Sequence, residues 1–208
     1  MGWQTDEFGS SHEGTAGAVL QDGSEPEPVW IDTGSSGSSG YRTSEWWAYN
    51  GVYSRPRASH LRGSCSCGWR GESLYPIDWD AIGDWPRDYD SVDLSGLRDD
   101  WDCHIDEVEA RTVPIPEDLQ NLLESLETRL EALACDFPLA GLRAVAAVER
   151  IAKRIGWDAA RDVDPDETPW DQISKALGLT ERDAQSRLRS YIPDSISRRG
   201  WTATGTLR

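Results

Sequence analysis

The stretch from Pro169 to Tyr191 constrains the fold most, because its sequence specifies two short helices joined by a tight turn. Apolar residues recur at helical spacing on both sides of a Gly-Leu-Thr sequence, so the two helices can close on one small core. Gly178 stands where the first helix must end in a left-handed conformation, and Thr180 can cap the second. The pattern predicts a helix-turn-helix over residues 169 to 191. The alternative is a plain helical hairpin inside an all-α domain.

Polar residues of the second helix are not needed for that core and are free to contact a ligand. In DNA-binding proteins with this motif the second helix lies in the major groove, where arginine reaches guanine or phosphate and glutamine reads adenine. Glu181 and Asp183 at the start of the helix would instead repel phosphate. We expect DNA binding by these residues: Thr180, Arg182, Gln185, Ser186, Arg189, Arg198 and Arg199.

Charge is distributed unevenly along the 208 residues, whose net charge is -16. Residues 1 to 138 contain 9 Lys and Arg against 27 Asp and Glu, whereas residues 139 to 208 contain 12 against 10. An acidic chain is not attracted to DNA by its overall field, so a contact with double-stranded DNA has to come from the C-terminal part. The competing hypothesis is an acidic interaction module that binds RNA polymerase or another basic protein partner, with the helix-turn-helix as a packing unit.

The composition also bears on location. No run approaches the roughly 18 consecutive apolar residues of a membrane helix, and the N-terminus lacks the basic and apolar regions of a signal peptide. We therefore expect a cytoplasmic protein with no membrane partner. The four cysteines are then expected to be reduced thiols or metal ligands.

Two N-terminal segments differ in character. Residues 1 to 40 are rich in Gly, Ser, Glu and Asp and end in a Gly/Ser linker, which predicts a disordered acidic arm with a flexible tether. Residues 41 to 113 contain many aromatic residues with interspersed glycines, which predicts a compact Cys/Trp-rich unit with short β-strands. Near its end, Trp101, Ile105 and Val108 recur at helical spacing.

Residues 114 to 208 are predicted to be helical. After Pro116, leucines at spacings of three and four predict an amphipathic helix ending near Cys135, and a second long helix runs from Leu139 to about Val163. A connection this short makes the two helices antiparallel neighbours, and their excess length can pair with another subunit in a homodimer. The predicted fold class is therefore mainly α: a small β-containing unit, an antiparallel long-helix pair and a C-terminal helix-turn-helix.

The sequence Cys65-Ser-Cys67-Gly68 is the most unusual local feature. Two thiolates one residue apart can bind one metal ion, but zinc requires four ligands. Of Cys103 and the adjacent His104, which point about 100° apart on a helix, we favour His104. The predicted zinc ligands are Cys65, Cys67, His104 and His60. The alternative is a pair of buried thiols beside core aromatics, with two ordinary surface histidines.

Enzymatic motifs are absent from the sequence. Adjacent Cys103 and His104 give poor geometry for a nucleophile and its base. The chain has no phosphate-binding loop, no dinucleotide fingerprint and no metalloprotease motif. We expect a protein that is not an enzyme.

Four segments together resemble a known group of proteins. They are HLRGSCSCGW at 60 to 69, WDCHIDEVEA at 101 to 110, PLAGLRAVAAVERIAKRI at 138 to 155 and WDQISKALGLTERDAQSRL at 170 to 188. The chain resembles helix-turn-helix proteins of high-GC actinobacteria, most of them uncharacterised, and the last segment is similar to a signature of bacterial transcriptional regulators. The resemblance implies a small DNA-binding regulator.

Overall fold

The chain folds into two compact units in the computed structural model, which describes residues 2–34, 40–82, 92–164 and 166–192. Unit 1 is Met1–Ala110 and unit 2 is Arg111–Arg208. The architecture is mixed α/β, whereas the sequence pattern predicted a mainly α chain. Within the described ranges, no helix is both long enough and apolar enough to cross a membrane.

Antiparallel β-structure forms the centre of unit 1. Its described strands are β1 (Gly14–Val19), β2 (Val29–Asp32), β3 (Gly40–Thr43), β4 (His60–Cys65) and β5 (Tyr75–Pro76). One sheet has the order β1-β4-β5, and β2 pairs with β3 in a second sheet. β1 pairs with β4 along its whole length, from Gly14 opposite Cys65 to Val19 opposite His60.

The N-terminal segment differs from the expected disordered arm of residues 1 to 40. It contains a short 3-10 helix, Gly9–His12, followed by β1 and β2. Ala16 and Ala18 of β1 are buried in the core of unit 1. Small residues suit a strand that lies tightly against its neighbours, yet the same residues enrich flexible linkers, which explains the difference. Residues 35 to 39 of the expected linker lie outside the described residues.

Helix α2 (Ser95–Glu109) packs on the larger sheet of unit 1, after the single-turn helix α1 (Trp79–Ile82). Two glycines allow this close approach: a Cβ at Gly14 would lie 2.7 Å from the Trp101 ring, and one at Gly63 would lie 2.9 Å from the carbonyl oxygen of Leu97. Trp101 and Leu97 are buried almost completely. The helix is thereby held against the C-terminal end of β4.

Unit 2 contains four described helices: α3 (Glu117–Asp136), α4 (Pro138–Asp162), α5 (Trp170–Leu177) and α6 (Glu181–Tyr191). Only Phe137 separates α3 from α4, and the two pack together where Gly141 meets Ala134; a Cβ at Gly141 would lie 2.8 Å from the Ala134 Cα. α6 packs on both α4 and α5. The buried side chains of the last two helices include Ile173, Ala184 and Leu188.

Candidate metal centre and candidate DNA-binding helix

Two histidines and two cysteines converge in unit 1. The potential ligand atoms of His12, Cys65, Cys67 and His104 all lie within 4.8 Å of one another. The Cys65 Sγ is 3.7 Å from the His12 Nδ1, and the Cys67 Sγ is 3.4 Å from the His104 Nε2. Sulfur and nitrogen ligands of a tetrahedral zinc ion, at about 2.3 and 2.0–2.1 Å from the metal, are separated by about 3.6 Å. The cluster can therefore hold a metal ion, and its donors are compatible with zinc.

The two cysteines are brought together by a tight turn at the end of β4. The Gly68 amide donates to the Cys65 carbonyl at 2.9 Å, and the Cys65 amide donates to the Trp69 carbonyl at 3.0 Å. Gly68 has a φ of 98°, a conformation that residues with a side chain rarely adopt. The glycine thus lets both thiols face the same point in space.

Ser66, between the cysteines, fixes the segment that carries His12. Its hydroxyl donates to the Ser10 carbonyl at 2.9 Å and accepts from the Glu13 amide at 2.9 Å. Its own amide donates to the Glu13 carbonyl, also at 2.9 Å. Because these bonds join residues 10 and 13 to the cysteine turn, His12 is held beside Cys65.

His104 reaches the cluster from α2 and is oriented by an aromatic neighbour. Its ring stacks on Trp69, with 4.6 Å between centroids and an angle of 10° between planes. Burial lowers the pKa of His104 below the usual range for histidine. Its imidazole is therefore neutral at neutral pH, which is the form that binds a metal.

The two thiols share one proton, and this favours a bound cation. The hydrogen bond from the Cys67 thiol lowers the pKa of Cys65 far below that of a free cysteine. The same bond, with burial, raises the pKa of Cys67. One thiolate therefore forms readily, but the second negative charge requires compensation by a positive ion.

Burial indicates a structural rather than a catalytic metal centre. His12, Cys65 and His104 are buried, and Cys67 is half-buried. Four protein ligands fill a tetrahedral coordination shell, whereas catalytic zinc sites keep one position for water or substrate. The arrangement can join the N-terminal segment, the β4 turn and α2 through one ion.

His60, one of the four ligands expected from the sequence, lies outside this cluster. It begins β4, and its Nδ1 is 2.9 Å from the Ser59 hydroxyl. Five residues of strand separate it from Cys65, which corresponds to about 16 Å. The structure brings the other three predicted ligands together and supplies His12 as the fourth. His12 was missed because its segment was interpreted as disordered, although the chain has only three histidines to consider.

The connection between α5 and α6 is specified by its own hydrogen bonds. Gly178 is left-handed, with φ 61° and ψ 33°. The amides of Gly178 and Leu179 donate to the carbonyls of Lys175 and Ser174, which satisfies the end of α5. Thr180 caps α6, since its hydroxyl accepts from the Asp183 amide at 3.2 Å and donates to the Asp183 carboxylate at 2.7 Å.

The predicted DNA-binding residues of α6 differ in exposure. Arg182, Ser186 and Arg189 are exposed and Gln185 is half-buried. The hydroxyl of Thr180 is occupied by the helix cap. The two remaining predicted positions, Arg198 and Arg199, lie outside the described residues.

Comparison with known proteins adds no family to this description. Protein-family models, curated proteins and solved structures all give no match to the chain. Its class has to be inferred from the two sites themselves.

Proposed function

We propose that this protein is a DNA-binding transcriptional regulator in which α5 and α6 form a helix-turn-helix and a zinc ion stabilises unit 1. The supporting observation is the arrangement of α6, which buries Ala184 and Leu188 and exposes Arg182, Ser186 and Arg189. A capped helix with one apolar and one basic polar face is the arrangement that enters a DNA groove.

Spacing supports the use of the exposed residues as one contact surface. Arg182, Ser186 and Arg189 are separated by four and three positions, so they share one face of the helix. The 11 residues of α6 correspond to a length of about 16 Å. The major groove, about 12 Å wide, admits a helix whose side chains reach base edges and phosphates.

Acidic residues at the start of α6 limit the strength of this contact. The Asp183 carboxylate accepts from the Thr180 hydroxyl, and its charge lies at the N-terminus of the helix, where the helix dipole stabilises it. Glu181 is exposed and opposes phosphate. We therefore expect one copy of the chain to bind DNA weakly.

Zinc is the metal we assign to the cluster of His12, Cys65, Cys67 and His104. Zinc prefers four cysteine and histidine ligands in a tetrahedral arrangement, and structural zinc sites have no open position. Bound zinc would neutralise the thiolates and cross-link three chain segments of unit 1. In this proposal the metal contributes to folding, and DNA contact belongs to unit 2.

The test is salt-dependent binding of the full-length protein to labelled genomic fragments, with selection of enriched sequences. We expect Arg182→Ala/Arg189→Ala to bind at least about tenfold more weakly, with a salt slope smaller by about one for each lost phosphate contact. The control, Arg57→Ala/Arg98→Ala, removes the same charge from unit 1 and should bind like wild type.

Equal binding by the two double variants would contradict the assignment of α6. If, in addition, no sequence is enriched at low salt, the acidic protein-interaction module becomes the better explanation of the chain.

A further inference from the structure

Helix α3 carries a row of leucines that the chain itself covers only in part. Leu119, Leu123, Leu126, Leu130 and Leu133 follow one another at spacings of four, three, four and three, which is the repeat of a coiled-coil seam. Leu130 and Leu133 are half-buried, but the three earlier leucines are exposed. No residue of α3 is fully buried. The N-terminal half of this seam therefore has no apolar partner among the described residues.

Exposed apolar residues of α4 continue the same surface. Because a single residue joins two helices that pack together, α3 and α4 run in opposite directions. Leu119 precedes Phe137 by 18 residues and Ile155 follows it by 18, while Leu122 and Ile151 stand 15 before and 14 after. Each pair therefore lies at one level. Leu122 is 65% exposed and Ile155 57% exposed.

We propose that this surface is a dimer interface and that a second copy of this chain covers it. The leucine face consists of Leu119, Leu122, Leu123, Leu126, Ile151 and Ile155. Helices of 20 and 25 residues present a face about 30 Å long and about 20 Å wide. That size is adequate for an ordinary protein interface, which buries about 800 Å² of each partner. Exposed apolar patches of such extent mark interaction sites.

Charge identifies the partner as the same chain and fixes which helices meet. α3 carries six acidic residues and one basic residue, whereas α4 carries five basic and three acidic residues. Among the described residues, no ion pair joins α3 to α4 within one chain. In a two-fold dimer, α3 against α4 of the other copy brings opposite charges together, and α3 against α3 brings like charges together. The dimer therefore pairs α3 with α4 of the second copy.

The first experiment measures the mass of the full-length protein in solution by sedimentation or light scattering. We expect a dimer. Leu122→Asn/Ile151→Asn should dimerise at least about tenfold more weakly and keep its helical circular dichroism, since both side chains are at least half exposed in the single chain. Leu74→Asn, at a 48% exposed apolar position of unit 1, is the matched control and should remain dimeric.

The second experiment tests the pairing by exchanging charges. One variant makes α3 basic and the other makes α4 acidic, and each alone should dimerise poorly. Mixed in equal amounts they should form a heterodimer, which native mass spectrometry identifies. The α3-basic variant is Asp118→Lys/Glu124→Lys/Glu127→Lys, and the α4-acidic variant is Arg150→Glu/Lys153→Glu/Arg154→Glu.

Three results would overturn the inference. They are a monomeric wild type at tens of micromolar, a dimer insensitive to the Leu122 and Ile151 substitutions, and an α3-basic variant that dimerises like wild type. None of these measurements involves DNA, so the inference stands or fails independently of the proposed function.

Discussion

At the residue scale, His12 is the ligand whose loss is most informative. It is buried, and its Nδ1 lies 3.7 Å from the Cys65 sulfur. We expect His12→Ala to lower metal affinity by more than the 10–100-fold typical of losing an outer-shell partner. His60→Ala should bind like wild type, because His60 stands at the other end of β4. Cobalt(II) titration, followed by thiolate-to-cobalt absorption, measures both; a larger effect at His60 would contradict the assigned cluster.

The protonation of the thiols predicts how metal affinity depends on pH. In the metal-free protein the lowered pKa of Cys65 makes it a thiolate at pH 7, and the raised pKa of Cys67 keeps it protonated. Metal binding must release the Cys67 proton, so affinity should rise with pH, by about tenfold per unit for one proton. Competition with a chelator of known proton affinity measures this slope. Cys67→Ser should bind more weakly and lose most of the slope, and a pH-independent wild type would contradict the sharing of one proton.

Three of the four clustered residues were predictable because their chemistry is visible locally. Two cysteines one residue apart suggest a metal site anywhere in a chain, and His104 occupies a helix whose apolar spacing is clear. His12 has no such signal. Its position depends on Ser66, 54 residues later, and on the pairing of Gly14 with Cys65, which are contacts that sequence spacing does not reveal.

At the scale of elements, Gly178 is the residue on which the α5–α6 connection depends. Its left-handed φ of 61° favours glycine. We expect Gly178→Ala to destabilise unit 2 by about 1–2 kcal/mol, and Gly178→Asn to cost less because asparagine tolerates this conformation. Gly23→Ala, at a positive-φ turn in unit 1, is a control for backbone strain elsewhere. Denaturant unfolding followed by helical circular dichroism measures the change, and equal stability of the Ala and Asn variants would be the contrary outcome.

Helices were easier to predict than strands, for a physical reason. The leucines of α3 and the apolar residues of α4 repeat every three or four positions, so each helix is apparent from its own sequence. The structure starts α4 at Pro138 and ends it at Asp162, within one residue of the predicted bounds. β1 has small residues and a strand partner more than 40 residues away. Its formation depends on distant pairing, and the local composition resembles a linker.

At the scale of the whole molecule, the metal should stabilise one unit and not the other. All four clustered residues belong to unit 1, which also contains eight of the eleven tryptophans. Chelation should therefore change tryptophan emission strongly and leave the helical signal of α3 to α6 largely intact. Re-adding zinc should restore the emission. Loss of both signals together would indicate that the two units unfold as one.

Domain division was predictable to within a few residues, but the role of the N-terminus was not. The unit boundary lies after Ala110, and the sequence placed it after residue 113. Proline and leucine patterns mark such a boundary locally. Removing residues 1 to 40, which appeared to be a neutral truncation, would delete β1 and His12. The effect of that deletion on DNA binding would therefore include the collapse of unit 1.

The spread of the four ligands along the chain has a consequence during synthesis. His12 and His104 are 92 residues apart (104 minus 12), and a ribosome translating 5–20 residues per second needs about 5–20 s to make that length. Throughout this interval the nascent chain can present at most three ligands. An ion captured early keeps one open coordination position and remains exchangeable with other thiols and chelators. Only the arrival of α2 traps the ion, so the last ligand to be translated marks the completion of unit 1.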